Sequence, residues 1–322
     1  MPIILITGSE GNIGTYLVKR LKETKPNFEI IRVGHKKIDD NPGEKEKIYI
    51  GDLTDEFFVK KIFSENKIDY VVHAAARSYG SAGFKEEAFT LFKNDAQSLL
   101  NVLNQSWQVK KFVYLSSVLV YDSADKTPFT EELTEEIMPP KSALGLTKYF
   151  GEKAVKFFNQ QYGVKYTIWR PYNVVSPLES HEHSNGHVFI DFYRKLFIEQ
   201  TPKIEIYGDG QQVRCFTWVE EATNTIADFI TDQRTDNQIF NIGGNEPKNI
   251  IELKDVLLQI GKEKNILPAD YNPEIITGNQ FFGADVQLRV PSAAKIKKML
   301  DWTCQTSFKE CFEKFIEHKT KT

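Results

Sequence analysis

The sequence has little of what would associate a chain with a membrane, a nucleic acid or an oxidising compartment. It carries 3 cysteines, Cys215, Cys304 and Cys311, a sparse and odd set that suits reduced thiols in a cytosol. The formal net charge is −3, so neither nucleic acid nor an acidic membrane is expected as a partner. No apolar run approaches the length of a membrane span, and the first run is too short for a signal peptide. We therefore expect a cytoplasmic protein.

The chain is long enough, at 322 residues, to bury a large core as one α/β domain or as one large and one small domain. Up to about Pro171, short apolar runs alternate with helical patterns, which is typical of βαβ units and a parallel sheet. Strands are predicted at residues 3–6, 29–33, 47–50, 70–73, 112–115 and 166–169. Helices are predicted at residues 13–23, 56–65, 84–105 and 143–162.

Beyond Pro171 the pattern becomes mixed. A polar loop precedes predicted helices at 189–199, 219–231 and 251–264, predicted strands at 203–207, 238–242 and 287–290, and two terminal helices. These patterns indicate a doubly wound parallel sheet over 1–171 and a smaller mixed domain over 172–322, some elements of which can return to the first domain. In such folds the ligand crevice lies at the carboxyl edge of the sheet.

Three glycines follow the first strand at intervals of three residues, and a helical pattern begins among them. A strand, a glycine turn and a helix together bring a pyrophosphate against backbone N–H groups at the helix N-terminus. Gly8 would supply the tight turn, Gly11 the close approach to phosphate, and Gly14 the close packing of helix on strand. We expect this turn, with Asn12 and Ile13, to hold a dinucleotide rather than to be a turn without a ligand.

A residue at the end of the second strand is expected to contact the adenosine ribose of the dinucleotide. An acid there accepts hydrogen bonds from both ribose hydroxyls, whereas a 2′-phosphate needs a small residue and nearby cations. After Gly34 the sequence continues with His35 and Lys36 and has no acid before Asp39, which favours NADP over NAD. A solvated basic turn is the alternative interpretation.

Two further segments are expected to contact the cofactor. Asp52 and Leu53 follow the third strand, where they are well placed to contact the adenine. Ala74 and Ala75 follow the fourth strand and offer small side chains where the backbone must pass close to a cofactor.

These motifs and several others together resemble the extended short-chain dehydrogenase/reductase family, and within it the nucleotide-sugar epimerase/dehydratase branch. The resemblance spans nearly the whole chain. It implies a Rossmann fold, NAD or NADP as cofactor, and a nucleotide-sugar-binding domain over 172–322. The motifs that carry it are Thr7-Gly-x-x-Gly-x-x-Gly14, Gly51-Asp-Leu, His73-x-Ala-Ala, Ser116-Ser-x-x-Val-Tyr121, Arg170-Pro-x-Asn-Val, Ile206-Tyr-Gly-Asp-Gly-Gln-Gln-x-Arg214-x-Phe-Thr-Trp-Val and Arg289-Val-Pro-Ser292.

The resemblance also assigns the catalytic positions. In this family a Ser or Thr and a Tyr hydrogen-bond the reacting sugar oxygen, and the Tyr is the general acid/base. A Lys one helical turn later lowers the pKa of that Tyr and holds the nicotinamide ribose. Ser117 and Lys148 match, but the Tyr position is Leu144, which can neither donate nor accept a proton. Leu144 is either natural or an introduced change, and if natural another group must move the proton or the activity is altered.

A second Tyr-x-x-x-Lys pair, Tyr149 and Lys153, lies one residue further on. At 3.6 residues per turn, Tyr149 falls nearly opposite the crevice, so we interpret it as an interface or surface residue. The predicted core stripe of this helix is Ala143, Thr147, Phe150, Gly151, Ala154 and Phe158.

The neighbours of Ser117 narrow the reaction that the resemblance implies. The family's dehydratases carry Asp-Glu directly after the catalytic Ser or Thr, where this sequence has Val118 and Leu119. The Cys of members that epimerise at C3 and C5 is also absent there. Hydride chemistry at one sugar carbon is left, as 4-epimerisation or as net 4-keto reduction or oxidation. A silent relative that only binds its ligands is the competing hypothesis, and a dehydrogenase for a non-nucleotide substrate is a third.

The resemblance gives three residues to a nucleotide diphosphate, namely Asn173, Arg214 and Arg289. A guanidinium suits this role because it makes bidentate, charge-assisted bonds. Ser78 and Tyr79 could touch the sugar or simply pack their loop. We expect no nucleic acid or membrane as partner, and a homodimer formed through the long predicted helices 84–105 and 143–162.

Three histidines in the polar loop, His181, His183 and His187, invite a metal site. Because no acidic or cysteine partner stands at a fixed spacing, we expect none. His187 is instead placed near the substrate and is one candidate for a substitute acid/base.

Overall fold

A seven-stranded parallel sheet forms the centre of the protein. The computed structural model describes residues 1–35, 42–76, 87–180, 187–278 and 287–321. The strands of the sheet are β1 (Ile3–Thr7), β2 (Glu29–Gly34), β3 (Glu46–Ile50), β4 (Tyr70–His73), β5 (Lys111–Leu115), β6 (Lys165–Pro171) and β11 (Gln238–Ile242). Their order is β11-β6-β5-β4-β1-β2-β3, and every neighbouring pair is parallel. This arrangement confirms the predicted doubly wound fold.

Helices cover both faces of this sheet because its strands are apolar on both sides. Ile4 and Ile6 point to one face, where they are buried under α1 (Asn12–Thr24), α6 (Val219–Asp228) and α8 (Ala294–Leu300). Leu5 points to the other face, under α2 (Glu56–Glu65), α3 (Ala88–Gln105) and α4 (Ala143–Tyr162). The predicted strands and helices of this part are confirmed to within a few residues.

Helix α4 is fixed at both ends by local sequence. At its start, the Ser142 side chain accepts a hydrogen bond from the Gly145 N–H at 3.1 Å, as an N-cap does. Asp122 holds the same turn by accepting from the Lys141 N–H at 2.6 Å. At its end, Gly163 takes φ +73°, the left-handed conformation that favours glycine at a C-cap. The helix that carries positions 144 and 148 therefore has a defined register.

The remaining elements build a second core beside the sheet. They are β7 (Val174–Val175), α5 (Val188–Tyr193), the π-helical turn Arg194–Ile198, β8 (Lys203–Tyr207), β9 (Val213–Arg214), β10 (Thr217–Trp218), β12 (Lys248–Asn249), α7 (Ile250–Glu263), β13 (Glu274–Gly278), β14 (Leu288–Arg289) and α9 (Phe308–Lys321). Phe189, Phe216, Phe312 and Phe315 pack ring against ring in this core, with centroid distances of 5.3 to 6.4 Å. None of the helices in the described ranges combines the length and the apolar character needed to cross a bilayer.

Strand β11 belongs to the large sheet although it lies in the second half of the chain. It pairs with β6 from Gln238 opposite Thr167 to Ile242 opposite Pro171. The sequence patterns did not predict β13, which pairs with β8, or the two-residue strands β7, β9, β10 and β12. Strands of two residues are too short to show any periodicity. A domain division after residue 171 stays a prediction.

Candidate active site

The glycine turn joins β1 closely to both α1 and β4. Gly8 has φ +67°, and a Cβ there would lie 2.8 Å from the backbone N and Cα of Ala75 and 3.1 Å from the carbonyl carbon of Ala74. A Cβ on Gly14 would lie 2.0 Å from the carbonyl oxygen of Gly8. The tight turn and the close helix packing predicted for these two glycines are therefore present. The contact of Gly11 with a phosphate stays a prediction.

Helix α1 begins directly after this turn. Gly11 is its N-cap, Asn12 is its first residue, and no side chain within the described ranges caps it. The Ile13 side chain packs against the core beneath the helix. The first N–H groups of α1 accordingly face the carboxyl edge of the sheet as bare backbone donors, the arrangement that binds phosphate groups elsewhere.

A neutral histidine ties β1 to β4 at this edge. His73 Nδ1 lies 3.0 Å from the Thr7 hydroxyl, and the Ala75 N–H donates to the same hydroxyl at 3.3 Å. Burial, together with the charge of Lys148, lowers the pKa of His73 to about 3. The imidazole is therefore uncharged at neutral pH, and it serves to position the segment that contains Ala74 and Ala75.

The carboxylate of Glu10, a residue of the glycine turn, lies at the end of β2. The His35 N–H donates to Glu10 Oε1 at 2.7 Å, and a Cβ on Gly34 would lie 2.6 Å from Glu10 Oε2. The sequence argument searched for this acid only on β2 and therefore missed Glu10. The usable signal was an acid between Gly8 and Gly11 together with a glycine at the facing strand end. Lys36 lies outside the described residues.

The turn after β3 lies beside the end of β2. The Gly51 N–H donates to the Gly34 carbonyl at 3.0 Å. Asp52 Oδ1 accepts from the Thr54 N–H at 2.8 Å and so shapes the start of α2. Leu53 packs into the core under the helices. Contacts of Asp52 and Leu53 with an adenine stay predictions.

Ser117 and Lys148 meet at the carboxyl end of β5. The Lys148 ammonium donates to the carbonyl oxygen of Leu115 at 2.9 Å, two residues before Ser117. The Ser117 hydroxyl accepts from the Leu119 N–H at 3.2 Å, which leaves its own proton to be donated elsewhere. The neighbouring Ser116 hydroxyl is instead used inside the protein, donating to Glu152 at 2.5 Å.

The environment of Lys148 weakens its charge. Its residue is only 7% exposed, and burial lowers the pKa of its ammonium, while the negative charges of Asp95 and Glu152 oppose that shift. Its Nζ also lies 5.3 Å from the ring centroid of Tyr114. Asp95, on α3, was not singled out from the sequence. Lys148 is thus held inside the edge of the sheet by a backbone acceptor.

Leu144 stands one helical turn before Lys148. The adjacent Gly145 packs so tightly on the turn 118–121 that a Cβ there would lie 2.5 Å from the Leu119 carbonyl oxygen. Leu144 itself is half-buried. The structure therefore places an apolar side chain at the helical position that the family resemblance gives to the acid/base.

The predictions for the rest of α4 need one correction. Tyr149 is partly buried and packs against the cluster around Tyr121, and its assignment to an interface or to the surface stays a prediction. The buried stripe includes Lys148 and Glu152, whereas predicted members such as Ala154 are only partly buried. Helical spacing misses this because Glu152 forms an ion pair, 2.6 Å long, with the completely buried Arg170.

Both predicted phosphate-binding arginines lie side by side on a small sheet. The strand order is β12-β9-β14, with Lys248 opposite Arg214 and Arg214 opposite Arg289. Directly paired residues point to the same face, about 4.8 Å apart in the hydrogen-bonding direction. Arg214 Nη1 also donates to the Val213 carbonyl at 2.8 Å, which holds its guanidinium in place. Lys248 was not expected in this row, and its ammonium forms an ion pair with Glu252 at 3.1 Å.

Two further substrate candidates lie near this row. Asn173, at φ 35°, donates through Nδ2 to the Cys215 carbonyl at 2.7 Å. His187 Nδ1 lies 2.6 Å from Glu179 Oε1 at the start of α5. Burial and the charge of Arg289 lower the pKa of His187, but the hydrogen bond and charge of Glu179 outweigh them and raise it. His187 is thus associated with Arg289.

Several predicted positions lie outside the described residues, namely Ser78, Tyr79, His181 and His183. Within the part of the chain that the structure describes, no three His, Cys, Asp or Glu side chains are grouped so that they could hold a metal ion.

A family model described as the NAD dependent epimerase/dehydratase family matches residues 4–243 of this chain. The chain belongs to the NAD-dependent epimerase/dehydratase family. The matched stretch contains the glycine turn, Ser117, Lys148, Asn173 and Arg214, whereas Arg289 lies beyond it. This assignment confirms the family resemblance seen in the sequence.

This chain is similar to proteins that are named for two different activities. It is 27% identical to dTDP-D-glucose 4,6-dehydratase of Homo sapiens over 330 residues, covering 98% of this chain and 89% of that protein. It is 27% identical to UDP-glucose 4-epimerase of Lactobacillus helveticus over 317 residues, covering 93% and 91%. A solved structure of UDP-glucose 4-epimerase with UDP-glucose from Thermotoga maritima has a TM-score of 0.85 and 27% identity over 99% of both chains. The family likeness therefore extends over nearly the whole chain.

Proposed function

We propose that this protein binds a nicotinamide dinucleotide and a nucleotide-diphosphate sugar at the carboxyl edge of its sheet and transfers a hydride at one sugar carbon. It would act as a 4-epimerase or as a 4-keto-oxidoreductase. The observation that carries the proposal is the pairing of Arg214 with Arg289 on neighbouring strands. Two adjacent guanidinium groups match the charge and the geometry of a diphosphate.

The residues at the sheet edge fit a dinucleotide. The backbone comes close to its neighbours at Gly8 and Gly14, and no described side chain caps the start of α1. Both features suit the binding of a pyrophosphate. Glu10 Oε2 is a buried oxygen without a hydrogen-bond partner among the described residues, and it lies at the end of β2. When bound, a nicotinamide would supply the hydride acceptor and donor. Either NAD or NADP satisfies this part of the proposal.

The protein's own groups divide the remaining work. The Ser117 hydroxyl donates to none of the described residues and would donate a hydrogen bond to the reacting sugar oxygen. The Lys148 ammonium keeps donors beyond its bond to Leu115 and would hold the nicotinamide ribose. Because Leu144 has no proton to exchange, the proton of the sugar hydroxyl needs another carrier. His187 is one candidate, although its link to Arg289 associates it with the diphosphate.

Dehydration is disfavoured by the turn after Ser117. Val118 is buried and Leu119 packs in the same apolar cluster, so neither position offers a carboxylate. Removing water across a C–C bond needs an acid and a base at the reacting carbons. We therefore place this chain with members that change one carbon by hydride transfer.

A second candidate function is silent binding, which Leu144 specifically favours. A protein with an intact dinucleotide edge and an intact arginine row, but without an acid/base, would bind both ligands and turn over neither. Restoring the tyrosine by Leu144→Tyr tests this alternative, as the Discussion describes.

We also propose a homodimer formed through α3 and α4. Phe89 and Phe157 are large apolar side chains that are 76% and 64% exposed on these helices. Phe157→Glu should give a monomer by light scattering, whereas Phe57→Glu, which alters an equally exposed residue on α2, should leave the dimer intact. The cytoplasmic location expected from the sequence stays a prediction.

The ligands can be identified directly. Mass spectrometry of small molecules released by denaturing the purified protein should reveal a dinucleotide or a nucleotide sugar. Calorimetry with UDP- and dTDP-sugars, the substrates in the relatives' names, then gives affinities for the wild type. Arg214→Ala and Arg289→Ala should each weaken binding about 10-fold or more, the effect of one charged hydrogen bond. The exposed Arg234→Ala is the matched control, and equal affinity in all four proteins would favour a non-nucleotide substrate.

A further inference from the structure

Glu10 brings a carboxylate to the place where β2 itself has none. Its Oε1 accepts a hydrogen bond from the His35 N–H at 2.7 Å. Its Oε2 is buried from solvent and has no hydrogen-bond partner among the described residues. A carboxylate oxygen in that state is costly, because it has lost water and gained no donor. No described residue supplies a donor to this oxygen, and a hydroxyl of a bound ligand would fill that role.

The elements around Glu10 indicate which part of a bound dinucleotide would lie next to its carboxylate. Residue Thr7 of β1 pairs with Val33 of β2, and the Ser9 N–H donates to the Val33 carbonyl at 3.2 Å. The glycine turn and the end of β2 therefore lie side by side at the carboxyl edge. In dinucleotide-binding folds the pyrophosphate lies on the first turn and the adenosine ribose lies over the end of β2.

The absence of a side chain at Gly34 makes room for this carboxylate. A Cβ on Gly34 would lie 2.6 Å from Glu10 Oε2 and 2.8 Å from its Cδ. Gly34 is not among the glycines with positive φ, so its backbone would accept an alanine. Gly34 thus leaves the space that the Glu10 carboxylate occupies, while its backbone conformation does not itself require a glycine.

We propose that Glu10 replaces the acid missing from β2 and makes the protein select NAD over NADP. This inference rests on the proposed function, whose cofactor site it uses. Glu10 Oε2 accepts a hydrogen bond from a hydroxyl of the adenosine ribose. The same negative charge repels a 2′-phosphate, which carries no donor and is itself an anion. The preference for NADP drawn from the basic residues after His35 considered β2 alone.

Binding measurements on four folded proteins test the proposal. Calorimetry with NAD⁺ and NADP⁺ is performed on the wild type, Glu10→Gln, Gly34→Ala and Glu23→Gln. Glu23 lies at the far end of α1, where its only described ion pair is with Arg20 at 3.9 Å, so its variant loses the same charge away from the site. Circular dichroism melting curves check that each variant folds.

We expect the wild type to bind NAD⁺ at least about 10-fold more tightly than NADP⁺. Glu10→Gln should weaken NAD⁺ binding about 10- to 100-fold, the effect of a hydrogen bond to a charged group, and should leave NADP⁺ binding equal or stronger. Gly34→Ala should change the affinities for NAD⁺ and NADP⁺ in the same way as Glu10→Gln does, because its methyl group displaces the flexible Glu10 side chain. Glu23→Gln should behave as the wild type.

Two results would overturn the inference while leaving the proposed function intact. One is a wild type that prefers NADP⁺, which would mean that the basic residues after His35 outweigh Glu10. The other is an unchanged ratio of NAD⁺ to NADP⁺ affinity in both Glu10→Gln and Gly34→Ala. If the folded wild type binds neither dinucleotide, the proposed function fails and the inference fails with it.

Discussion

The ammonium of Lys148, on α4, lies 2.9 Å from the carbonyl oxygen of Leu115, the last residue of β5. That contact holds the buried ammonium at Leu115, two residues before Ser117 in the chain. One turn earlier on the same helix stands Leu144, where the family resemblance calls for a tyrosine. Under the proposed function, Lys148 would support an acid/base, whereas the side chain at position 144 has no proton to exchange.

Leu144→Tyr should raise the rate of hydride exchange between NAD⁺ and UDP- or dTDP-sugars. A phenol one turn before Lys148 supplies a proton carrier whose contribution is typically about 10²- to 10⁴-fold. The rate is measured by mass spectrometry of deuterium transfer from a sugar labelled at C4.

Leu144→Phe is the control for this change, since it adds the ring without the hydroxyl. A phenylalanine that performs as well as the tyrosine would show that shape alone limits the site. High wild-type activity that is unchanged in Leu144→Tyr would mean that position 144 is not the acid/base position. Binding without turnover in every form would favour the silent alternative.

Gly14→Ala should destabilise the protein and abolish dinucleotide binding. A Cβ at this position meets the Gly8 carbonyl oxygen at 2.0 Å, so α1 must move away from the turn. Overpacking of this kind costs about 1–3 kcal/mol, which urea unfolding can measure. Gly11→Ala is the matched variant, because its Cβ would lie 3.3 Å from the same oxygen. Equal stability loss in the two variants would contradict this account of the turn.

Glu152→Gln should be strongly destabilising because it leaves the buried guanidinium of Arg170 without its counter-charge. The two side chains are 2% and 0% exposed, and breaking such a pair from one side costs about 3–5 kcal/mol. Glu135→Gln provides the contrast. Glu135 is 53% exposed, and its bonds to Lys153 and Lys156 lower its pKa to about 2, yet the loss should stay below about 1 kcal/mol because water screens the pair. Similar unfolding free energies for the two variants would rule out this reading of the buried pair.

Sugar-nucleotide affinity should depend on the protonation of His187. The net effect of its neighbours raises the pKa of His187 above its usual 6.5. A protonated imidazole near Arg289 adds positive charge for a diphosphate, so affinity is highest at pH below that raised value. Affinity should then fall as the pH rises through it. Calorimetry from about pH 5.5 to 8.5 follows the change.

Glu179→Gln tests the cause of this pH dependence. It removes the charge that raises the pKa of His187, while burial and Arg289 continue to lower it. The midpoint of the affinity change should therefore move to lower pH. A midpoint that stays in place in Glu179→Gln, or that persists in His187→Ala, would assign the titration to another group.

The elements of the large sheet were predictable because their signals are local. An apolar run such as residues 3–6 and a helical pattern such as 56–65 each reflect how one segment buries its own surface. The glycine turn was predictable for the same reason, since three residues within one turn must lack side chains. Leu144 was visible as a departure because Ser117 and Lys148 fixed the motif around it.

Motifs and local patterns of the chain were enough to predict the wound sheet, the family and the residue types of the candidate site. The contacts between distant residues follow from packing: Arg289 beside Arg214 on strands of two residues, Glu152 against Arg170, and Glu10 over the end of β2. Local periodicity reports the burial of a segment, because it follows from the geometry of a single helix or strand. It carries no record of pairing between segments, since that depends on how the packed elements bring together charges far apart along the chain.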